Sequence, residues 1–281
     1  RKIPLSEDLL KIDNLVVSVK NSNQRLVNHL SLTIKRCQSM ALVGENGSGK
    51  TTVSKAVLGF LPDNCYIQSG RILYSSTDIT RLSRRQLQTI RGKKIATIFQ
   101  NAMGTLTPSM RVGAQIVETL RHHFDMSKEE AFSKARELLE SVHIESPDRC
   151  LQLYPFELSG GMCQRVSIAI ALATNPELII ADEPSTALDS ISQAQVLRVL
   201  TQIHQNHSTA LLLITHNLAL VSELCEEMAI IRYGEIVEQG PVQELLHSPS
   251  HPYTQQLIRA IPRIPSPSYL SPTEPLATTA Y

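Results

Sequence analysis

One stretch of the chain has the composition and spacing of a phosphate-binding loop. Residues 44–51 read Gly-Glu-Asn-Gly-Ser-Gly-Lys-Thr and fit the pattern G-x-x-x-x-G-K-[ST]. The glycines let successive backbone N–H groups point at phosphate oxygens, while Lys50 can reach a terminal phosphate and the Thr51 hydroxyl can bind Mg²⁺. The predicted nucleotide-binding residues are Gly44, Glu45, Asn46, Gly47, Ser48, Gly49, Lys50, Thr51 and Thr52.

Two adjacent carboxylates can act on the same ligand. Asp182 and Glu183 directly follow residues 178–181, an apolar run that predicts a buried strand. A carboxylate at such a strand end can hold Mg²⁺, so Asp182 is a predicted magnesium ligand together with Thr51. Glu183 would face the terminal phosphate and take a proton from an attacking water. An acidic helix cap would explain the pair in isolation, but its coexistence with a phosphate loop favours catalysis.

A second glycine-rich stretch, residues 158–162, reads Leu-Ser-Gly-Gly-Met and precedes a predicted helix. Ser159 can cap that helix, and Gly160 and Gly161 leave backbone N–H groups open to an anion. One nucleotide does not need two such loops on one face. A head-to-tail dimer would use both, because each protomer's second loop would close over its partner's nucleotide. An ordinary N-capped helix is the alternative.

Apolar segments alternating with helical patterns are expected to position these groups. Strand patterns occur at residues 9–20, 30–34, 39–43, 71–74, 95–99, 178–181, 211–214 and 228–231. Helical patterns occur at residues 52–60, 82–91, 191–204 and 218–225, and residues 60–70 are expected to form a loop. Strands alternating with helices predict a parallel sheet with right-handed crossovers. The basic charges of residues 82–91 are expected to form a solvated face.

The middle of the chain has a different character, because residues 112–173 are mainly helical in pattern. The expected fold is an α/β P-loop NTPase (RecA-like) core with a parallel sheet, additional antiparallel β strands and an inserted α-helical subdomain. We expect the core to comprise residues 1–100 and 176–247, and the insertion residues 101–175. Residues 248–281 would form a C-terminal region whose proline-rich end, residues 264–281, is a mobile tail.

Composition restricts the remaining function classes. Lys and Arg number 27 and Asp and Glu 26, so the basic bias of nucleic-acid-binding proteins is absent. The five cysteines are scattered, which is typical of free thiols in a reducing compartment. No apolar run approaches the ~20 residues of a membrane helix, so a cytosolic chain is expected. His122, His123, His204 and His207 lack the companions of a metal site and are expected to be exposed helix residues.

Taken in order, these motifs resemble those of the ATP-binding subunits of ABC transporters over residues 9–264. Gln100 matches the Q-loop, residues 158–162 the signature sequence, Asp182 and Glu183 the Walker B pair, residues 185–189 the D-loop and His216 the switch histidine. The resemblance implies ATP hydrolysis in an ABC-type fold. It implies that Gln100 contacts Mg²⁺ and the attacking water, that His216 contacts the γ-phosphate, and that Asp189 crosses a dimer interface towards the partner's site.

A narrower resemblance, to the oligopeptide/dipeptide/nickel importer subfamily, comes from the C-terminal part. Residues 250–254 read Ser-His-Pro-Tyr-Thr, and residues 154–157, Tyr-Pro-Phe-Glu, also fit that subfamily. Residues 90–103 are similar to the D-type subunit of the two ATPase subunits that such importers usually pair. The resemblance implies the ATP-hydrolysing subunit of a bacterial importer that energises uptake of peptides, nickel or a metal–chelator complex.

The same resemblance implies a set of partners. They are a second ATPase subunit in a head-to-tail dimer, two transmembrane permease subunits that dock near residues 102–111, and an extracytoplasmic substrate-binding protein. The second ATPase is expected to be a non-identical paralogue, with a second copy of this chain as the alternative. The chain would lie peripherally on the cytoplasmic face of the bacterial inner membrane.

Other features bear on the ligand and on the main alternative. No aromatic residue occurs at residues 17–20 to stack on adenine, which leaves the base-stacking group open. No cysteine follows Cys225, so the iron–sulfur cluster of some relatives is not expected. The alternative function is a non-transport ABC ATPase associated with DNA repair or translation. A long coiled-coil insertion, a second cassette or a basic stripe would favour it, and this sequence contains none, so no nucleic-acid partner is expected.

Overall fold

Two β-sheets and the helices around them form the fold of the computed structural model, which describes residues 8–207 and 209–260. The strands are β1 (Asp8–Val19), β2 (Arg25–Lys35), β3 (Ser39–Val43), β4 (Cys65–Tyr74), β5 (Thr77–Asp78), β6 (Ile95–Ile98), β7 (Leu178–Asp182), β8 (Ala210–Thr215), β9 (Glu227–Arg232) and β10 (Glu235–Pro241). The helices are α1 (Lys50–Leu58), α2 (Arg84–Ile90), α3 (Ala102–Thr105), α4 (Val112–His123), α5 (Lys128–Ser141), α6 (Pro147–Gln152), α7 (Gly160–Leu172), α8 (Ser190–His207), α9 (Leu218–Leu224), α10 (Val242–His247) and α11 (Pro252–Arg259). Short 3₁₀ turns cover Ile79–Arg81 and Pro155–Glu157.

The larger sheet confirms the predicted parallel core. Its strand order is β10-β9-β3-β8-β7-β6, with β10 antiparallel to β9 and the other pairs parallel. Strands β3, β7 and β8 are buried along their whole length, which explains why they read as continuous apolar runs. Because β8 pairs with both β3 and β7, the loops that follow these three strands meet at one edge of the sheet.

The smaller sheet, in the order β2-β1-β4-β5, is antiparallel and contains the one clear error in the predicted elements. Residues 60–70 were expected to be a loop, but β4 begins at Cys65 and pairs with the end of β1. Most side chains of this part of β4 are exposed, so its sequence lacks the apolar alternation of a half-buried strand. Backbone pairing with β1, which no local pattern reports, makes it a strand.

The helices between β6 and β7 pack onto the sheet through a continuous apolar cluster. Ile116 of α4, Leu139 of α5 and Val166 of α7 belong to the same cluster as Val43 and Ile98 of the sheet. A second cluster lies on the other face, where the two sheets and α1 meet. The division into a core and an insertion at residues 101–175 stays a prediction, and residues 264–281 lie outside the described part of the chain.

Two further helix properties bear on the predictions. None of the residues of α2 is buried, which agrees with the solvated face expected for Arg84 and Arg85, whereas Arg91, at the end of the same basic segment, is half-buried with its guanidinium over the Phe60 ring. Within residues 8–207 and 209–260, no helix combines the length and the apolar character that crossing a bilayer requires.

We predict that Gly70→Ala destabilises the smaller sheet. Gly70 has a φ of 85°, and a Cβ atom there would lie 2.3 Å from the carbonyl oxygen of Asn14 on β1. The free energy of unfolding should fall by about 1–3 kcal/mol, measured from urea denaturation. Gly240→Ala is the matched control, because the nearest contact of its added Cβ would be an ordinary 3.8 Å. Equal denaturation midpoints for the two variants would contradict the prediction.

Candidate active site

The phosphate-binding loop lies between β3 and α1, and close backbone contacts explain its glycines. A Cβ at Gly44 would lie 2.3 Å from the carbonyl oxygen of Ile231, and one at Gly49 would lie 2.5 Å from that of Leu26. Gly49 caps α1 with a φ of 107°, which a side chain would strain. Among the described residues no side chain caps α1, so the N–H groups of its first turn are available to an anion.

The Lys50 side chain is a buried cation held by its own loop. Its Nζ donates to the carbonyl oxygens of Gly44 at 2.6 Å and Glu45 at 2.8 Å. Burial lowers the pKa of Lys50, although the nearby carboxylates of Glu183 and Asp182 act in the opposite direction. Carbonyl oxygens carry only partial charge, so a phosphate would be a better partner for this ammonium group.

A second polar group of the loop also fits an anionic ligand. The Ser48 hydroxyl is buried and has no hydrogen-bond partner among the described residues. Buried hydroxyl groups are normally hydrogen-bonded, and a phosphate oxygen would supply the missing partner. Together with the uncapped start of α1, this group makes the loop chemically suited to a nucleotide.

The carboxylate of Asp182 contacts two hydroxyl groups on α1. Its Oδ1 accepts a hydrogen bond from the Thr51 hydroxyl at 3.4 Å, and its Oδ2 accepts one from Ser54 at 3.3 Å. Burial raises the pKa of Asp182, while these hydrogen bonds act against the rise. A carboxylate next to a hydroxyl provides the hard oxygen atoms that Mg²⁺ prefers, so Thr51 and Asp182 fit the predicted metal.

Glu183 and His216 meet because β7 and β8 are neighbouring strands. Glu183 Oε1 lies 2.7 Å from His216 Nδ1 and accepts a hydrogen bond from the His216 backbone N–H at 3.1 Å. Its Oε2 accepts hydrogen bonds from the hydroxyls of Thr186 at 2.9 Å and Thr215 at 3.3 Å. The Glu183 side chain is 12% exposed, so its carboxylate is oriented but still within reach of solvent.

A cavity of about 420 Å³ brings several of the predicted site residues together. It is lined by Leu26, Asn46, Gly47, Gly49, Lys50, Thr51, Thr52, Gln100, Glu183, Thr186 and His216. Gly44, Glu45, Ser48 and Asp182 do not line it; the first three belong to the loop and Asp182 contacts Thr51. The arrangement can bind a polyphosphate and present a carboxylate to a water molecule beside it.

The second glycine-rich loop and Asp189 are not part of this cavity. Ser159 accepts a hydrogen bond from the N–H of Met162 and caps α7, as the sequence predicts. Asp189 accepts hydrogen bonds from the N–H groups of Ile191 and Ser192 and from the Ser192 hydroxyl, and these bonds lower its pKa. In the single chain both residues therefore cap helices, and the roles of Ser159, Gly160, Gly161 and Asp189 at a partner's nucleotide stay predictions.

Three site residues escape the sequence analysis: Leu26, Ser54 and Thr215. Thr186 enters it only as part of the D-loop, residues 185–189. Ser54 lies three residues after Thr51 on α1, so helical spacing could have placed it beside Asp182. Leu26 has no local signal, because it reaches the cavity from β2 through the fold. Among the described residues no Phe, Tyr or Trp side chain lines the cavity, and Leu26 contributes a large apolar side chain to it.

The histidines differ in part from the prediction that they are exposed. His122 is exposed, whereas His123 and His204 are half-buried. His204 is next to Ile203 and one helical turn after Leu200, both buried, so its position on α8 draws it towards the core. The side chain of His207 lies outside the described part of the chain. No group of three His, Cys, Asp or Glu residues that could hold a metal ion occurs among the described residues.

Comparisons with known proteins agree with this geometry. The ABC transporter family model matches residues 27–186, more than half of the chain. The model of the oligopeptide/dipeptide transporter C-terminal region matches residues 237–279. Among solved structures, the chain is similar to a dimeric structure of the post-hydrolysis state of the ATP-binding cassette MJ0796 bound to ADP and Pi. That similarity has a TM-score of 0.74 and 26% identity, and covers 83% of this chain and 98% of the other.

Two curated relatives are more similar in sequence. The oligopeptide transport ATP-binding protein OppD of Bacillus subtilis is 41% identical over 261 residues, covering 92% of this chain and 73% of the relative. The probable D,D-dipeptide transport ATP-binding protein DdpD of Escherichia coli is 39% identical over 274 residues, covering 96% and 84%. With matches of this extent and a cavity of this chemistry, the chain belongs to the ABC transporter family, as an ATP-hydrolysing subunit of its oligopeptide/dipeptide branch.

Proposed function

We propose that this chain hydrolyses ATP to energise the uptake of peptides through membrane permease partners in a bacterium. The observation that carries the proposal is the meeting of Lys50, Thr51 and Glu183 at one cavity, because nucleotide binding and water activation need these groups together. The names of OppD and DdpD support peptides as the substrate class. Nickel and metal–chelator complexes are the alternatives that the uptake experiment below distinguishes.

Binding of the triphosphate would begin at the loop and the start of α1. Lys50 would keep its carbonyl partners and donate its remaining N–H to β- and γ-phosphate oxygens, and the N–H groups of the first turn would donate to the same oxygens. The Thr51 hydroxyl and the Asp182 carboxylate would hold Mg²⁺, with Gln100 at the cavity wall as a further ligand. The ion would supply neutralisation of the negative charge on the phosphate oxygens.

The Glu183 carboxylate would act as the general base. Its hydrogen bonds to Thr186, Thr215 and His216 restrict its orientation, so that it can accept a proton from a water molecule in the cavity. His216 is half-exposed beside it and would contact the γ-phosphate. Positioning and charge stabilisation would account for most of the rate enhancement.

Closure of the site would require a second ATPase subunit. Ser159, Gly160, Gly161 and Asp189 do not line the cavity of their own chain, which supports a head-to-tail dimer in which they face the partner's nucleotide. The similar cassette MJ0796 was solved as a dimer, which supports the association of two ATPase subunits. We propose a non-identical paralogue as the partner, since the resemblance is to the D-type subunit of a pair.

The permease subunits would dock beside the helices that follow β6. A groove of about 270 Å³ is lined by the exposed Phe60 and Phe99 and by Leu106 among others, and Met103 of α3 is also exposed. Exposed apolar side chains around a groove are typical of a protein interface, which supports docking at residues 102–111. The chain would thus lie on the cytoplasmic face of the inner membrane, and an extracytoplasmic protein would deliver the substrate.

Lys50→Ala should abolish measurable ATP binding. The substitution removes the buried cation that would meet the phosphates, and isothermal titration calorimetry with ATP and Mg²⁺ measures the loss. Lys55→Ala is the matched control, because Lys55 is exposed on the same helix and lies outside the cavity. Unchanged affinity of Lys50→Ala would contradict the role of the phosphate loop.

Glu183→Gln should bind ATP but lose turnover by about 10²-fold or more, as expected when a general base is removed. Single-turnover hydrolysis in the assembled complex measures the chemical step directly. Glu223→Gln is the matched control. It makes the same substitution at an exposed residue of α9 and should keep the wild-type rate. Near-normal turnover of Glu183→Gln would remove Glu183 from the mechanism.

Uptake in cells lacking the gene tests the substrate class. The cells would be complemented with wild type or Glu183→Gln, and given a labelled dipeptide, a longer peptide, and Ni²⁺ with and without a chelator. We expect wild type alone to restore uptake of a peptide. Restoration of nickel uptake only would replace peptide by metal as the substrate class, and no restoration of any label would reject the proposed transport function.

A further inference from the structure

The His-Pro-Tyr-Thr element folds back onto the phosphate-binding loop. Tyr253 belongs to α11, is 2% exposed, and its hydroxyl accepts a hydrogen bond from the backbone N–H of Glu45 at 3.2 Å. Glu45 is the second residue of the phosphate loop, and 208 positions separate it from Tyr253. The C-terminal element therefore contacts the phosphate loop through the Tyr253 hydroxyl.

This contact holds a peptide unit that Lys50 also uses. The carbonyl of Gly44 accepts a hydrogen bond from Lys50 Nζ at 2.6 Å, and the N–H of Glu45 belongs to the same peptide unit. A peptide unit is planar, so rotation that frees one of these groups moves the other. The Tyr253 hydroxyl thus restrains the orientation of the carbonyl on which the Lys50 ammonium rests.

Tyr253 is itself held in place by its surroundings. The Arg232 guanidinium lies over its ring, 4.6 Å from the centroid. The start of α11 is fixed by His251, whose Nδ1 accepts from the Tyr253 N–H, and by Glu238, which accepts from the N–H groups of Ser250 and His251. Because ring and backbone are both anchored, the hydroxyl is presented to Glu45 at a defined position.

A second contact from the same side holds the loop at another point. The N–H of Gly234, in the turn between β9 and β10, donates to the carbonyl oxygen of Ser48 at 2.9 Å. Loss of the Tyr253 hydroxyl would therefore leave the loop attached to the sheet. Its effect should appear in the position of the peptide unit and of Lys50, and not in the stability of the fold.

We propose that Tyr253 is a positioning residue for nucleotide binding, whose hydroxyl orients the Gly44–Glu45 peptide unit and, through it, Lys50. The C-terminal element is then part of the nucleotide site. The inference rests on the proposed role of Lys50 in binding the phosphates. The inference goes beyond that role, because it gives control over ATP affinity to a residue that lies outside the loop.

The test is Tyr253→Phe in the full chain, which removes the hydroxyl and keeps the ring that packs beneath Arg232. ATP affinity should fall about two- to tenfold, the range for one lost hydrogen bond, and hydrogen exchange at the Glu45 amide should accelerate. Turnover at saturating ATP in the assembled complex and the thermal unfolding midpoint should stay at wild-type values. Tyr66→Phe, a partly exposed tyrosine on β4, is the matched control and should change none of these.

Specific outcomes would overturn the inference. Wild-type ATP affinity in Tyr253→Phe would show that the hydroxyl does not set binding. A lowered unfolding midpoint accompanying the loss of affinity would assign Tyr253 a purely structural role. Lys50→Ala separates the two proposals. If Lys50→Ala binds ATP like wild type, the proposed nucleotide-binding role of the phosphate loop fails. If Lys50→Ala loses ATP affinity but Tyr253→Phe does not, only the proposed role of Tyr253 is rejected.

Discussion

The buried ammonium group of Lys50 is the constraint on which the rest of the site depends. A cation removed from water must be compensated, and in this chain the carbonyl oxygens of Gly44 and Glu45 provide part of that compensation. Their geometry requires a tightly curled loop, which explains why glycine occupies positions where a Cβ would collide with neighbouring backbone. The same charge makes the site selective for an anion that can complete the compensation.

The order of the strands turns this loop into a candidate catalytic site. Because β8 lies between β3 and β7, the ends of all three strands approach one another, and each contributes a different group. The end of β3 leads into Lys50, the end of β7 carries Asp182 and Glu183, and the end of β8 carries His216. Glu183 then contacts His216 across neighbouring strands, an arrangement that depends on their register and not on distance along the chain.

The same architecture places some of the predicted nucleotide-binding groups in one cavity and others outside it. The cavity contains the phosphate loop and the carboxylate, whereas the glycine-rich start of α7 and the start of α8 are capped by their own side chains elsewhere on the surface. Apolar side chains of α7 and of the sheet belong to one buried cluster. The loop that precedes α7, residues 158–162, is therefore held in place by the packed core. This supports a function in which nucleotide hydrolysis and association with a second subunit are linked.

The sequence by itself determined the groups whose signal is local: the loop at residues 44–51, the carboxylates after β7, and the alternation of buried strands with helices. These signals depend on neighbours within a few positions, which side-chain type and periodicity report directly. His216 after β8 was identified through the family resemblance. Tertiary structure alone decided that Cys65 begins β4, that Leu26 lines the cavity, and that Tyr253 contacts Glu45. Each of these depends on strand pairing or packing between distant segments, and no local pattern of side chains encodes which backbone group a distant residue will meet.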